Sequence, residues 1–239
     1  MSDGIRINRY LAECGICSRR EADKLIERGA VTINGENAQT GARVGDNDEV
    51  CVDGRSVKPV EKKVVLAYYK PAGQIVSESD PHAEDTVAEA IDYPVRVTYA
   101  GRLDKESEGL LLLTNDGELI NAMMKGRNAH EKEYIVHLNK EPSLDDIKRL
   151  SAGIWLDELK KKTRPCHIEK IGSRIIRMIL TEGLNRQIRR MWKSAGYYVR
   201  ALKRIRVVNV SLGDLKPGEY TELDDKQLKD LYEAVGLKR

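Results

Sequence analysis

Gly101-Arg-Leu-Asp-Lys-Glu-Ser-Glu-Gly-Leu-Leu-Leu-Leu-Thr-Asn-Asp-Gly117 is the stretch from which the fold can be read. A polar loop carrying Arg102 and Asp104 runs directly into four leucines, and an Asn-Asp-Gly turn follows. A short apolar run bounded by turn signals has the pattern of a core strand. A carboxylate is therefore predicted beside a core strand, where water has reduced access and general acid/base or covalent work is suited. Spacing alone leaves a second reading equally open, in which Asp104 caps a turn and pairs with Arg102.

Outward from this stretch, Val64-Val-Leu-Ala-Tyr-Tyr69, Tyr134-Ile-Val-His-Leu138, Ile175-Ile-Arg-Met-Ile-Leu180 and Ile205-Arg-Val-Val-Asn-Val-Ser-Leu212 read as further strands. Helical patterns fall at Thr86–Ile91, Glu118–Met124, Ser143–Leu150, Asn185–Ala195 and Asp225–Val235, a mixed α+β order rather than a regular βαβ succession. The N-terminal part differs. Ile5, Leu11 and Ile16 suggest a short amphipathic stretch, and a second helix runs from a cap-like Ser18 to Gly29. Ala30-Val-Thr-Ile-Asn-Gly35 and the valines at 44, 50 and 52, set among Gly45-Asp46 and Asp53-Gly54, give brief strands with tight turns. The result is an αα-βββ module. A Lys-, Pro- and Glu-rich segment at 57–63 reads as a linker, which places the boundary between domains of 1–60 and 61–239.

A chain of 239 residues with 41% apolar side chains can bury such a pair of domains. Its formal net charge is only +3, so affinity for phosphate must come from local clustering. No apolar run approaches the roughly 20 residues of a membrane span, and the N-terminus has no secretory signal pattern, which predicts a soluble, cytoplasmic protein without membrane partners. Cys14, Cys17, Cys51 and Cys166 form one Cys-x-x-Cys pair without a completing set, so no metal is expected; Cys14 and Cys17 read as reduced, small residues at a helix end. The histidines at 82, 130, 137 and 167 are scattered and receive no chemistry. Gly-x-Gly-x-x-Gly and Walker-type loops are absent, which argues against a nucleotide cofactor.

Two basic sets stand out. Between Thr181 and Arg206 the chain carries eight basic side chains against one acidic, Arg186, Arg189, Arg190, Lys193, Arg200, Lys203, Arg204 and Arg206. If Asn185–Ala195 is a helix, Ile188 and Trp192 face the core, one arginine can reach Asp104, and the remaining cations offer a surface for RNA or another polyanion. The second set is Arg6, Arg9, Arg19, Arg20, Lys24 and Arg28. Arg20, Lys24 and Arg28 recur every four residues and share a helical stripe, with a solvated salt-bridge helix as the equal alternative.

Read together, Gly-Arg-Leu-Asp-x-x-Ser-x-Gly-Leu-Leu-Leu-Leu-Thr-Asn-Asp-Gly resembles the catalytic motif of the RsuA-type ribosomal RNA pseudouridine synthases. Tyr69-Lys-Pro-Ala-Gly73 looks like that family's first motif, His130-Glu-Lys-Glu-Tyr-Ile-Val136 like its tyrosine motif, and Glu182-Gly-Leu-Asn-Arg-Gln-Ile-Arg-Arg-Met191 like its third. Residues 5–50 resemble the small RNA-binding domain named after ribosomal protein S4. The resemblance implies an S4-like αα-βββ domain followed by a mixed, mainly antiparallel-sheet catalytic domain. It implies Asp104 as the catalytic aspartate, Tyr134 as the ring that stacks on the target base, and Arg189 as the partner of the Asp104 carboxylate. Arg102 would help extrude the base. Many relatives have Arg where this chain has Leu184, which leaves Arg189 as the better candidate. Gly-Leu-Asn-Arg-Gln and Asn128-Ala-His-Glu-Lys-Glu-Tyr134 are similar to the branch acting on large-subunit (23S) rRNA, in particular the RluF subgroup. The implied partner is ribosomal RNA, with tRNA as a second substrate class; the implied enzyme is a cofactor-free monomer.

Two other classes compete. A non-catalytic rRNA-binding or assembly factor would keep the basic surfaces without turnover. A small-molecule hydrolase would use Asp104 and Glu106 as a carboxylate pair, which requires both to face one pocket.

Overall fold

The computed structural model describes residues 4–77, 85–125 and 128–238; His82 and residues 1–3 lie outside them. The chain forms two units. One comprises residues up to Lys63 with Tyr93–Val97 and Asn115–Gly117, and the other Val64–Asp92, Thr98–Thr114 and the chain from Glu118 onward.

The first unit runs β1 (Ile5–Arg6), α1 (Ile7–Glu13), α2 (Arg19–Glu27), β2 (Val31–Ile33), β3 (Glu36–Asn37), β4 (Arg43–Val44), β5 (Val50–Val52) and β6 (Arg55–Ser56). Helix α1 buries Ile7 and Leu11, four residues apart, rather than the expected Ile5-Leu11-Ile16 set. Ile5 lies in β1 and Ile16 beyond the helix end, so neither shares that face and both are exposed. Helix α2 starts at a reciprocal Ser18–Glu21 capping box and contributes Ala22 and Ile26 to a core with Val31, Val44 and Val50. The strands pair as β3-β2-β5-β6, with β1 on β4. Their hairpins close on Asn34-Gly35 (φ 52 and 86) and Asp53-Gly54 (φ 46 and 76), the left-handed pairs that a two-residue hairpin turn requires. The segment expected as a linker is packed onto this unit: Val57 N–H donates to Val50 O at 2.9 Å and Val60 N–H to Glu13 O at 3.0 Å. Cys14 and Cys17 are buried; burial and the neighbouring Glu13 push the Cys14 thiol up to about 12.

The second unit holds β7 (Val65–Lys70), α3 (Val87–Ala90), β8 (Thr98–Tyr99), β9 (Glu108–Thr114), α4 (Gly117–Met124), β10 (Lys132–Leu138), α5 (Leu144–Ser151), β11 (Trp155–Leu156), β12 (Lys161–Lys162), β13 (His167–Gly172), β14 (Ile175–Leu180), α6 (Gln187–Ser194), β15 (Val199–Val207), β16 (Val210–Ser211), β17 (Tyr220–Glu222) and α7 (Asp225–Ala234). Its main sheet has the order β13-β14-β10-β15-β9-β7-β17, with β16 added to β15 and β8 to β9. Every pairing in it is antiparallel except β15 with β9. All six residues of β7 and six of seven in β9 are buried, because both faces of these central strands are covered. Val65, Ala67, Tyr69, Leu110 and Leu112 pack with Leu119 and Met123 of α4 and Leu228, Leu231 and Tyr232 of α7. The expected strand at 205–212 is in fact the end of a longer strand and a short one, broken at Val208 (φ 55).

Candidate active site

The loop between β8 and β9 is held from three sides. Gly101 turns the chain at φ 89, and Ser107 N–H closes back on Asp104 O at 3.0 Å. Arg204, 3% exposed, donates from Nε to Leu110 O at 2.7 Å and from Nη1 to Arg102 O at 3.4 Å. Lys105 O accepts from Gly73 N–H at 2.8 Å and from Lys70 Nζ at 3.4 Å. Lys70 has no exposed surface, and its ammonium also donates to Pro71 O (2.7 Å) and Gln74 O (2.8 Å). Burial pushes this lysine down to about 8, against the pull of Asp85, Glu108 and Asp104. Arg189 completes the frame, with Nη2 3.4 Å from both Glu106 O and Ser107 Oγ.

This backbone presents the Asp104 carboxylate to two guanidinium groups, Arg186 Nη1 at 3.8 Å and Arg189 Nε at 4.0 Å. Arg102 makes no ion pair among the described residues and is exposed. Arg186 also pairs with Glu106 at 2.9 Å; that hydrogen bond holds the Glu106 carboxyl below and the Arg186 guanidinium above its usual range. Glu106 is thus held by Arg186, with its side chain 59% exposed. Burial and then the neighbouring Arg186 push the Arg189 guanidinium down, although an arginine stays charged in a protein. Its Nε is buried without a hydrogen-bond partner and faces Asp104.

Local sequence explains the cation positions. Ile188, Met191 and Trp192 recur at helical spacing and are buried, so Arg189 and Arg190 come to the flanks of α6. The helix begins at Arg186 in the left-handed region (φ 50, ψ 33), a conformation that costs a non-glycine residue about 1 kcal/mol or more and that aims this side chain at the loop. Gln187 secures the approach, accepting from Leu184 N–H at 3.0 Å and donating to Glu182 Oε1 at 2.8 Å.

Tyr134 lies on β10, where the pairing with β15 shifts register between Glu133 and Tyr134. Such a bulge re-aims the side chain that follows it. Glu133 takes Arg177 and Arg206, each at 2.8 Å, while Tyr134 faces a cavity of about 110 Å³. Arg102, Asp104, Tyr134, Arg186 and Arg189 all line it, together with Leu180, Leu184 and Leu202. The space is that of one planar ring, with an aromatic wall and a carboxylate beside two cations.

The remaining basic candidates divide. Arg190 donates to Asn185 O at 3.0 Å and pairs with Glu158; Lys193 sits 3.6 Å from the same carboxylate. Of the wider cluster, Arg204 and Arg206 do not form a surface: Arg204 serves loop carbonyls, and Arg206 bridges Glu131 and Glu133. Lys203 lies over the Tyr69 ring at 4.7 Å. In the first unit Arg6, Arg19, Arg20 and Lys24 are exposed, Arg9 pairs with Glu13 at 2.7 Å and Arg28 with Asp53 at 3.3 Å. Sequence reasoning missed Lys70 and Arg204 as loop supports and Arg186 as a neighbour of Asp104. The first has a signal, since a lysine closing an apolar run must be buried with its ammonium satisfied or end the strand.

The family model described as RNA pseudouridylate synthase matches residues 64–194, and the S4 domain model matches residues 5–50. The chain is similar to the dual-specificity RNA pseudouridine synthase RluF of Escherichia coli strain K12, 42% identical over 233 residues that cover 97% of this chain and 79% of that protein. It is similar to an uncharacterized RNA pseudouridine synthase of Aquifex aeolicus, 37% identical across 98% of this chain and 96% of the other. Ribosomal large subunit pseudouridine synthase B of Pseudomonas aeruginosa is 34% identical over 98% of this chain and 64% of its own length. Among solved structures, a crystal structure of pseudouridylate synthase superposes with a TM-score of 0.71 at 28% identity, covering 95% of this chain and all of that one. With the motifs, the sheet and the two matching models in agreement, the chain belongs to the RNA pseudouridylate synthase family and is an RNA pseudouridine synthase with an N-terminal S4 domain.

Proposed function

We propose that this enzyme isomerises a specific uridine in ribosomal RNA, of the large subunit, with Asp104 as its catalytic carboxylate, Tyr134 as the ring against which the base stacks, and Arg189 as the guanidinium partner of the Asp104 carboxylate. The observation that carries this reading is the shared cavity: the Asp104 carboxylate, the Tyr134 ring and the Arg189 guanidinium line one space the size of a single ring. The relatives include a dual-specificity RNA enzyme and a ribosomal large-subunit enzyme, which supports rRNA as substrate; tRNA is the second substrate class of the same reading. Residues 1–60 act as the RNA-gripping domain through Arg6, Arg9, Arg19, Arg20, Lys24 and Arg28. Residues 61–239 carry the chemistry, and Arg102, Arg186, Arg190 and Lys193 meet the substrate around the cavity. The enzyme works as a monomer in the cytoplasm.

The reaction breaks the N1–C1′ bond, turns the uracil, joins C5 to C1′ and removes the C5 proton while N1 gains one. Its atoms balance without a redox partner or phosphoryl donor. A stacked base cannot turn, so the nucleotide leaves the helix at a cost of a few kcal/mol. Stacking on Tyr134, on the order of 1–3 kcal/mol, offsets much of that. Arg102, exposed at the mouth, fills the place the base vacates. Asp104 works as nucleophile or acid/base at C1′ or the base, and Arg186 and Arg189 stabilise its charge. Asp104→Asn is expected to abolish tritium release from C5-labelled uridine in rRNA, while RNA affinity stays within about twofold of wild type. Substantial residual release by that variant would sink the assignment. Pseudouridine mapping in cells with and without the gene tests the substrate: a site lost from large-subunit rRNA supports it, and one lost from small-subunit rRNA overturns it.

A further inference from the structure

Between α5 and β13 the second unit inserts a small hairpin that neither the motifs nor the cavity account for. Strands β11 and β12 pair Trp155 with Lys162 and Leu156 with Lys161, and Asp157–Leu159 form the tip. Its root is tight. Gly153 sits at φ 82, where a Cβ would collide with Thr163 O, and Ile154 and Thr163 are joined by Thr163 N–H to Ile154 O (2.8 Å) and Ile154 N–H to Thr163 Oγ1 (2.9 Å). Leu156 is buried and anchors one face.

Lys161, opposite Leu156, shares its face but is exposed, and Trp155 and Lys162 lie on the other face. Trp155 is 56% exposed, an unusual position for the largest apolar side chain, and it lies beside Lys162 across the strand pair. Lys160, Lys161, Lys162 and Arg164 are exposed, and none has an ion-pair partner among the described residues. Of the two acids at the tip, Glu158 is taken by Arg190 and Lys193 of α6, and Asp157 is exposed and makes no ion pair among the described residues, so four cations face one free carboxylate. The hairpin is also tied to the active-site wall. Arg164 N–H donates to Glu182 Oε1 at 2.8 Å, the oxygen that holds Gln187, and Glu182 and Gln187 both line the cavity.

Unpaired cations interleaved with an exposed aromatic ring are the chemistry of a nucleic-acid strand site, in which the cations meet phosphates and the ring stacks on a base. We propose that the β11–β12 hairpin is a second RNA-binding element of the catalytic unit. It seats the strand that flanks the target uridine, with its phosphates on Lys160, Lys161, Lys162 and Arg164 and one unpaired base on Trp155. The inference rests on the rRNA reading above for the identity of the strand.

The test uses the full-length enzyme and an unmodified large-subunit rRNA transcript. Wild type, K160S/K161S/K162S and Trp155→Ala are compared by filter binding across a salt series and by single-turnover pseudouridine formation at saturating enzyme. All substituted groups are exposed, and equal thermal midpoints check folding. The triple variant is expected to bind about tenfold or more weaker at low salt, with a plot of log K against log salt shallower by about 2, as the loss of three phosphate contacts requires. Trp155→Ala is expected to weaken binding about tenfold with the salt slope unchanged. In both, the saturating rate stays within about twofold of wild type. Wild-type affinity and salt slope in both variants, or a loss confined to the saturating rate, would overturn the proposal. A wild-type enzyme that binds the transcript but forms no pseudouridine on it would overturn the rRNA reading instead, and the binding comparison would still decide the hairpin.

Discussion

A lysine without exposed surface holds the site's first loop together: Lys70 donates to Pro71 O, Gln74 O and Lys105 O. Lys70→Met leaves at least two of these carbonyls unsatisfied, at about 1–3 kcal/mol each, so a loss of about 2–4 kcal/mol is expected in urea unfolding. The pH dependence has a definite sign. Burial lowers this ammonium from 10.5 to about 8, so between those values the unfolded chain binds the proton and the folded one has released it. Its contribution to stability is therefore full above 10.5 and is lost as pH falls through about 8. The stability gap between wild type and Lys70→Met should widen from about pH 8 to about pH 10; a constant or narrowing gap would contradict the burial argument. Asp104, Tyr134 and Arg189 were legible as candidates because each stands in a distinctive motif. Whether a given Arg or Lys turns inward was not: Arg204 and Arg206 read as a surface, but neutralising Glu133 and holding the Arg102 carbonyl uses their charge and donors inside the sheet.

Helices and strands meet the site through one unusual junction. The β9–β15 pair is the parallel contact in an otherwise antiparallel sheet, and it forms at Lys203↔Glu108 and Arg204↔Gly109. Gly109 makes it possible: at φ 103, with the Arg204 backbone so near, any Cβ would collide with the Arg204 carbonyl oxygen. Gly109→Ala is expected to cost at least about 3 kcal/mol, or to prevent folding, and to reduce turnover by displacing the Asp104 loop from its Arg204 support. A thermal midpoint within a few degrees of wild type would refute this. The apolar strands and α6 were visible in periodicity alone, since burial of one face repeats at 2.0 or 3.6 residues. Short strands such as β11, β12 and β17 were not, because two or three residues carry no period. The register shift at Tyr134 was also hidden, being a property of the partner strand β15 rather than of β10 itself.

At the scale of the whole chain, two different family models match, S4 over residues 5–50 and RNA pseudouridylate synthase over residues 64–194. Arg20 and Lys24 are exposed on α2. Arg20→Ser/Lys24→Ser is expected to weaken rRNA binding about tenfold and to flatten its salt dependence by about 1.5 in log–log slope, with the saturating rate retained; gel-shift titration at two salt concentrations measures it. Unchanged affinity would return α2 to the solvated salt-bridge alternative. No helix among the described residues is long and apolar enough to cross a membrane. The sequence by itself determined the long apolar strands, the main helices, the two-part organisation and the family, because motif residues, turn glycines and apolar periods are local properties of the chain. Only the tertiary structure decided that Arg186 joins Arg189 at Asp104, that Lys70 and Arg204 hold the loop, and that Trp155 and its lysines face solvent. These depend on which distant segments pack together and on where each buried donor finds an acceptor.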